Sequence, residues 1–331
     1  MQTDSNSIQP SVNVPENRPL KLIFDIVNQE RRNIKYLYVY AIFSGLISLA
    51  IPLGIQTIIG YVMAGRLNTS WFLLSLIITF CVLLAGLTKL AQLSIVDSVQ
   101  RKLFIFFGEK YKDQLIKLKA NTREVPANLE ARVGYFMDVV TLQKSLSKLL
   151  VDFTGKLLQA FFGLLLLSIY HPLFLTFGLM VMLVVVIVLR FTWKRGFETA
   201  RTESNYKFKT AEALRTLFKV QDRRTLPEIE DQIDHHINQY SEARIQHFGI
   251  LYRQAWLGII TKVIFTAFML IIGSYLLVTQ KISLGQFLAA EILIITLLDA
   301  VEKLILTVEN LYDCGISAEK LNVISTIDDT I

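Results

Sequence analysis

Six runs of apolar residues constrain this chain more than any other feature, because each is long enough to cross about 30 Å of hydrocarbon as a helix of roughly 20 residues. They fall at residues 36–60, 71–93, 151–170, 173–193, 256–279 and 284–308. Inside a bilayer the backbone must satisfy its own amides and carbonyls, so the pattern predicts an all-α polytopic membrane protein with six transmembrane helices. Composition agrees, since 53% of the 331 residues are apolar, more than a soluble core of this size requires. Residues 1–18 have neither a basic start nor an apolar centre, which predicts a polar, disordered tail and no signal peptide.

The basic residues set an orientation. With the N-terminus inside, 28 of the 34 Lys and Arg lie on the inner side, only Arg66 and Lys281 lie outside, and Lys89, Lys156, Arg190 and Lys262 fall within spans. The positive-inside rule then predicts cytoplasmic termini. The net charge of +6 therefore reads as a topology signal. Acids are interleaved with these bases along helical segments, which argues against a nucleic-acid partner. Cys81 falls in the second span and Cys314 in the inner tail, so no disulfide framework is expected and both read as packing residues. The four histidines lack a completing set of ligands and read as solvated. No paired carboxylate or nucleophile constellation points to an enzyme.

The connections are lopsided. Three short turns lie outside, whereas two inner connections of roughly 60 residues follow spans two and four. Ile95, Val99, Leu103, Phe106, Tyr111, Leu115 and Leu118 recur at helical spacing, so span two is expected to continue as one helix to about Arg123. Such a helix is roughly 80 Å long and projects some 40 to 50 Å beyond the bilayer. Pro126 ends it, and "NLEARVGYFMDVVTLQKSL" forms a short helix and a return helix. The second connection repeats the plan around Pro227, which predicts two long cytoplasmic helical arms.

The stretch "QKISLGQFLAAEIL" contains Ser-Leu-Gly-Gln, close to a phosphate-contacting phrase of ABC-type ATPases. Ser283 and Gln286 also have the spacing of a capping box, directly ahead of an apolar run. No Gly-x-x-x-x-Gly-Lys-Ser/Thr loop accompanies them, so the phrase reads as the start of span six.

Charges inside the spans are the remaining signal. Lys89, Lys156 and Lys262 lie close enough to the inner boundary to snorkel. Glu291 lies eight residues into span six, roughly 12 Å from its outer end, and calls for either a cavity or an interhelical hydrogen bond. Glu291, Glu302 and Glu309 fall on one helical face, and Asp299 with Lys303 forms an i, i+4 pair. Pro52 suits a kink in span one.

Taken together, six spans, short outer turns, two long inner arms and "VTQKISLGQFLAAEI" resemble the transmembrane domain of type I, exporter-type ABC transporters. "YAIFSGLISLAIPLGIQTIIGYV" and "FMDVVTLQKSLSKLLVDF" resemble the bacterial branch of peptide, bacteriocin and type I secretion exporters. The resemblance covers about residues 19–325 and rests most on 52–56, 141–144, 170–172, 283–286 and 302–303. It implies a multi-pass protein of the bacterial inner membrane, paired as a homodimer or heterodimer that exchanges spans four and five. It implies alternating access driven by an ABC nucleotide-binding partner that holds ATP and Mg, with membrane lipid as the other partner.

The resemblance marks Pro52, Gln56, Glu291 and Glu302 as substrate-cavity candidates. Segments 130–138 and 214–224 become ATPase-coupling segments, with Arg132, Val133, Phe136, Asp138, Leu214, Arg215, Leu217 and Phe218 as the candidate contacts. Two departures accompany it. The family usually continues into an ATP-binding domain where this sequence gives "LNVISTIDDTI", so 326–331 reads as a linker remnant, and the second arm reads as shortened at its tip. A transporter-derived scaffold or regulatory subunit without transport is the alternative.

Overall fold

A computed structural model describes residues 30–65, 69–121, 133–218 and 224–325. The tail at 1–18, Arg66, Pro126, Arg132 and residues 326–331 fall outside the described residues. Among the described residues every regular element is helical, and six helical stretches are long and apolar enough to cross a membrane.

The first span is two helices, α1 (Arg31–Ser48) and α2 (Ala50–Met63). They break at Leu49, whose N–H turns back to the Leu46 carbonyl at 3.1 Å. Pro52, buried in the first turn of α2, supplies the cause: it has no N–H to donate to the Ser48 carbonyl, so the i to i−4 ladder is interrupted there. The kink expected at Pro52 is thus displaced a few residues towards the N-terminus.

Helix α3 (Thr69–Asn121) runs 53 residues without interruption, about 80 Å, as the apolar spacing predicts. A 3₁₀ turn (Tyr135–Met137), α4 (Asp138–Lys148), a π-helical turn (Leu149–Phe153) and α5 (Thr154–Tyr170) carry the chain back through the third span. His171 is extended, and its Nδ1 accepts from the Leu173 N–H at 3.2 Å. That cap and Pro172 at the first helical position start α6 (Pro172–Leu217).

The second arm turns ahead of Pro227, in the first turn of α7 (Leu226–Val278), which climbs 53 residues back through span five. Ser283 and Gln286 form the expected capping box, with reciprocal bonds of 3.2 and 2.9 Å, and open α8 (Leu284–Leu306). After a slip at Thr307, α9 (Val308–Ser325) continues the same direction out of the membrane.

Packing divides by level. Within the membrane, α5, α6, α7 and α8 share a core around Leu167, Phe174, Val181, Met269, Leu293 and Leu297. At the level of the arms, α9 wedges between them, with Ala318 and Leu321 against Phe107, Val139 and Leu142, and Ile316 beside Ala200. Spans four and five pack on each other and on the chain's own α8, while Leu179, Leu183 and Val186 of α6 and Val263, Ile264 and Ile271 of α7 stay exposed. The membrane stretch of α3 has no buried residue in its most apolar window, leaving a full apolar face to lipid or another chain.

Candidate functional site

The polar groups on α8 distribute over two levels of the bundle. At its start, Gly285 lies so close to α2 that a Cβ there would sit 2.8 Å from the Gln56 carbonyl. The Gln56 side-chain oxygen accepts from the Tyr170 hydroxyl at 2.6 Å, joining spans one and three. Gln56 is therefore an interhelical strut as well as a wall residue. Glu291 follows, two turns further along α8 and half-buried. Its Oε2 is buried without a hydrogen-bond partner among the described residues. Glu291 thus carries a buried oxygen unpaired among the described residues at the level of the membrane.

Glu302 behaves differently. The Lys262 ammonium of α7 donates to Asp299 at 2.6 Å and to Glu302 at 3.1 Å. Three expectations change here. Asp299 pairs across helices instead of with Lys303, Lys262 is anchored and does not simply snorkel, and Glu302 is engaged by a cation of its own chain. The physical reason is geometric: α7 brings a long side chain between two acids one turn apart, and one ammonium then satisfies both. The third member of the expected acidic face, Glu309, likewise lies 3.7 Å from Arg244 of α7.

Beyond the membrane the two arms meet α9 in a buried polar junction around a cavity of about 190 Å³. Arg244 bridges Glu203 of α6 at 3.1 Å as well as Glu309. Asp138, 1% exposed, accepts from Lys207 at 3.4 Å. Lys320 of α9 donates to Ser204 and stands 4.1 Å from the Phe208 ring centre. Arg201 of α6 pairs with Glu319. Burial and the neighbouring carboxylates Glu309 and Glu203 push the Asp313 carboxyl up to about 6, and burial brings the Lys320 ammonium down to about 7. His247 was expected to be solvated, but it is 2% exposed, contacts Thr199 Oγ1 at 3.1 Å, and is held below its ordinary pKa by burial.

At the centre stands Tyr312, fully buried, with its hydroxyl 3.4 Å from Gln254 Nε2 and its ring against Trp193, Phe197 and His247. The sequence reading missed this group, because its members are single residues scattered over three helices, α6, α7 and α9. The one available signal is Gly196, whose missing side chain makes room for the Tyr312 ring.

The tip candidates split into two kinds. Val133, Leu214, Arg215 and Phe218 are exposed, Phe218 at 91%, and Leu217 is half-buried. Phe136 instead packs edge-on against Phe104 and Tyr111, with centroids at 5.4 and 5.2 Å, and Asp138 is buried in the junction. Asp138 is thus an internal support, while Phe136 packs inward and remains half-buried. Arg215 reaches across to Gly134, where a Cβ would lie 2.7 Å from its Nη1, so the ends of both arms touch. Next to that contact a cleft of about 830 Å³ opens between the first arm's return segment and α6.

These features define a six-helix, all-α polytopic membrane protein, a helical bundle of a kind consistent with a transport-type role. No family model matches the chain, and no curated protein is similar to it.

Proposed function

We propose that the chain is the transmembrane subunit of an ATP-driven exporter that works as a pair and forms the translocation path by alternating access. The observation that carries this reading is the continuity of three helices, of 53, 46 and 53 residues, from the membrane into two arms whose exposed ends adjoin. A rigid helix transmits displacement at one end to the other, so a partner that moves the tips would move the spans. The ATPase would come from another chain or a further domain. Glu291, with a free carboxylate oxygen, is the proposed polar group of the path.

The test is made on the complex recovered from native membranes. Serine at Val133, Leu217 and Phe218 together is expected to release or uncouple an ATPase partner while membrane insertion is unchanged, whereas serine at Phe136 should lower stability as well. Glu291→Gln is expected to preserve folding and alter export, because it keeps the shape and removes the charge. If crosslinking recovers no ATPase and the deletion phenotype is independent of ATP, the scaffold reading replaces this one.

A further inference from the structure

Spans one, two and three enclose a second polar space, on the arm side of the membrane, that the groups described above do not use. It is a cavity of about 140 Å³ lined by Ser44 and Ser48 of α1, Lys89 and Gln92 of α3, and Lys156 and Gln159 of α5. Lys89 precedes the end of the second apolar run at Leu93 by four residues, and Lys156 follows the start of the third at Val151 by five. Both therefore stand roughly 6 to 8 Å inside the apolar boundary.

Four observations converge on this space. Gln92 is 4% exposed, lines the cavity and makes no hydrogen bond among the described residues, so its amide is left to face the cavity. Lys156 spends one N–H on Gln159 Oε1 at 2.8 Å, which leaves it two further donors and turns the Gln159 amide into part of the same donor set. Among the described residues Asp152 is the one acid on the wall and neither lysine forms an ion pair with it, so the lining keeps an excess of positive charge. Finally, two helix irregularities border this cavity: the π-helical turn that carries Val151 and Asp152, and the break after Ser48 that frees its carbonyl. Snorkelling accounts for Lys89, which is exposed, but not for a short buried amide or for the bulge.

We propose that this cavity binds a phosphate group, presented by an anionic phospholipid headgroup or by a phosphate-bearing solute. Donors arrive from three helices on different sides, which suits a tetrahedral group with several acceptor oxygens better than a planar carboxylate. Leu90, Leu93 and Leu157 stand exposed next to the opening, where acyl chains of a lipid held by its headgroup would lie. The site does not depend on the exporter reading.

The experiment uses the full chain, delipidated in detergent, with native mass spectrometry and thermal unfolding as readouts. Phosphatidylglycerol is expected to remain bound and raise the melting temperature, whereas neutral diacylglycerol does neither. Lys89→Met with Lys156→Met should weaken retention by about tenfold or more, and the paired Lys→Arg changes should restore it. Gln92→Glu, which places a carboxylate in the cavity with little change of shape, gives a second reading should the methionine pair not fold. Lys281→Met, at the other side of the membrane, controls for simple loss of charge. Displacement of the lipid by glycerol phosphate, with direct binding of glycerol phosphate, would assign the site to a solute; its absence would assign it to the lipid. Equal retention by wild type, Gln92→Glu and the Lys281→Met control, or equal binding of diacylglycerol, overturns the proposal.

Discussion

Tyr312 shows what a single position contributes at the arm junction. A Cβ on Gly196 would come within 2.4 to 2.8 Å of its hydroxyl and ring, and the ring is boxed in by Trp193, Phe197 and His247. Gly196→Ala is therefore expected to lower stability by about 1–3 kcal/mol through overpacking, against the usual small gain of alanine over glycine in a helix. Thermal unfolding in detergent measures it, and an unchanged or raised melting temperature would refute it.

Asp313 supplies the pH dependence at the same junction. Its folded value, about 6, lies above the ordinary 3.8, so the native state holds a proton that the unfolded chain has released. Its contribution is most favourable at low pH and is lost as pH rises through 6. Lys320, at about 7 against an ordinary 10.5, bears its penalty below pH 7 and changes little between pH 5 and 7. His247, lowered by burial, opposes Asp313 as the medium is acidified. The comparison of wild type with Asp313→Asn isolates the carboxyl: the variant should be more stable by about 1–3 kcal/mol at pH 7.5, with the advantage shrinking towards pH 5. An advantage independent of pH would contradict the assignment.

At the scale of elements, the ends of the spans follow local rules closely. The capping box at Ser283 and Gln286, His171 with Pro172, and the break ahead of Pro52 were all legible from short stretches, because a cap or a missing N–H acts within one turn. The end of α7 is an exception with a consequence. Gln280 has φ 57°, and the Lys281 and Gln280 amides return to Leu276 and Leu277 at 2.9 and 3.0 Å, which is a Schellman closure with glutamine where glycine is preferred. Gln280→Gly is expected to raise stability by about 1 kcal/mol, read as a higher melting temperature. A decrease would mean that the side chain holds the turn in some further way. The π-helical turn before α5 had no such signature, since its extra residue answers to the packing of spans one to three.

For the whole molecule, apolar runs and the interruptions between them determined the number of spans, their order and the great length of the arms. Those properties depend on hydrocarbon thickness and helix rise, which act on the chain alone. The 28-to-2 distribution of basic residues leads to one further expectation: single cysteines at Lys112 or Lys209, placed after Cys81 and Cys314 are replaced, should resist an impermeant thiol reagent added to intact cells, whereas cysteine at Lys281 reacts. Labelling of the arm positions from outside would invert the topology.

Which charges meet was another matter. The sequence brought Asp299 to Lys303 and left His247 in solvent, because spacing along one helix is all that it displays. Tertiary packing brought Lys262 between Asp299 and Glu302, and buried His247 beside Thr199. It also turned Asp138 and Phe136 inward and gathered Lys89, Gln92 and Lys156 around one cavity. Such meetings depend on the rotation of each helix about its own axis, and that rotation is decided by the side chains of neighbouring helices, tens to more than a hundred residues away along the chain.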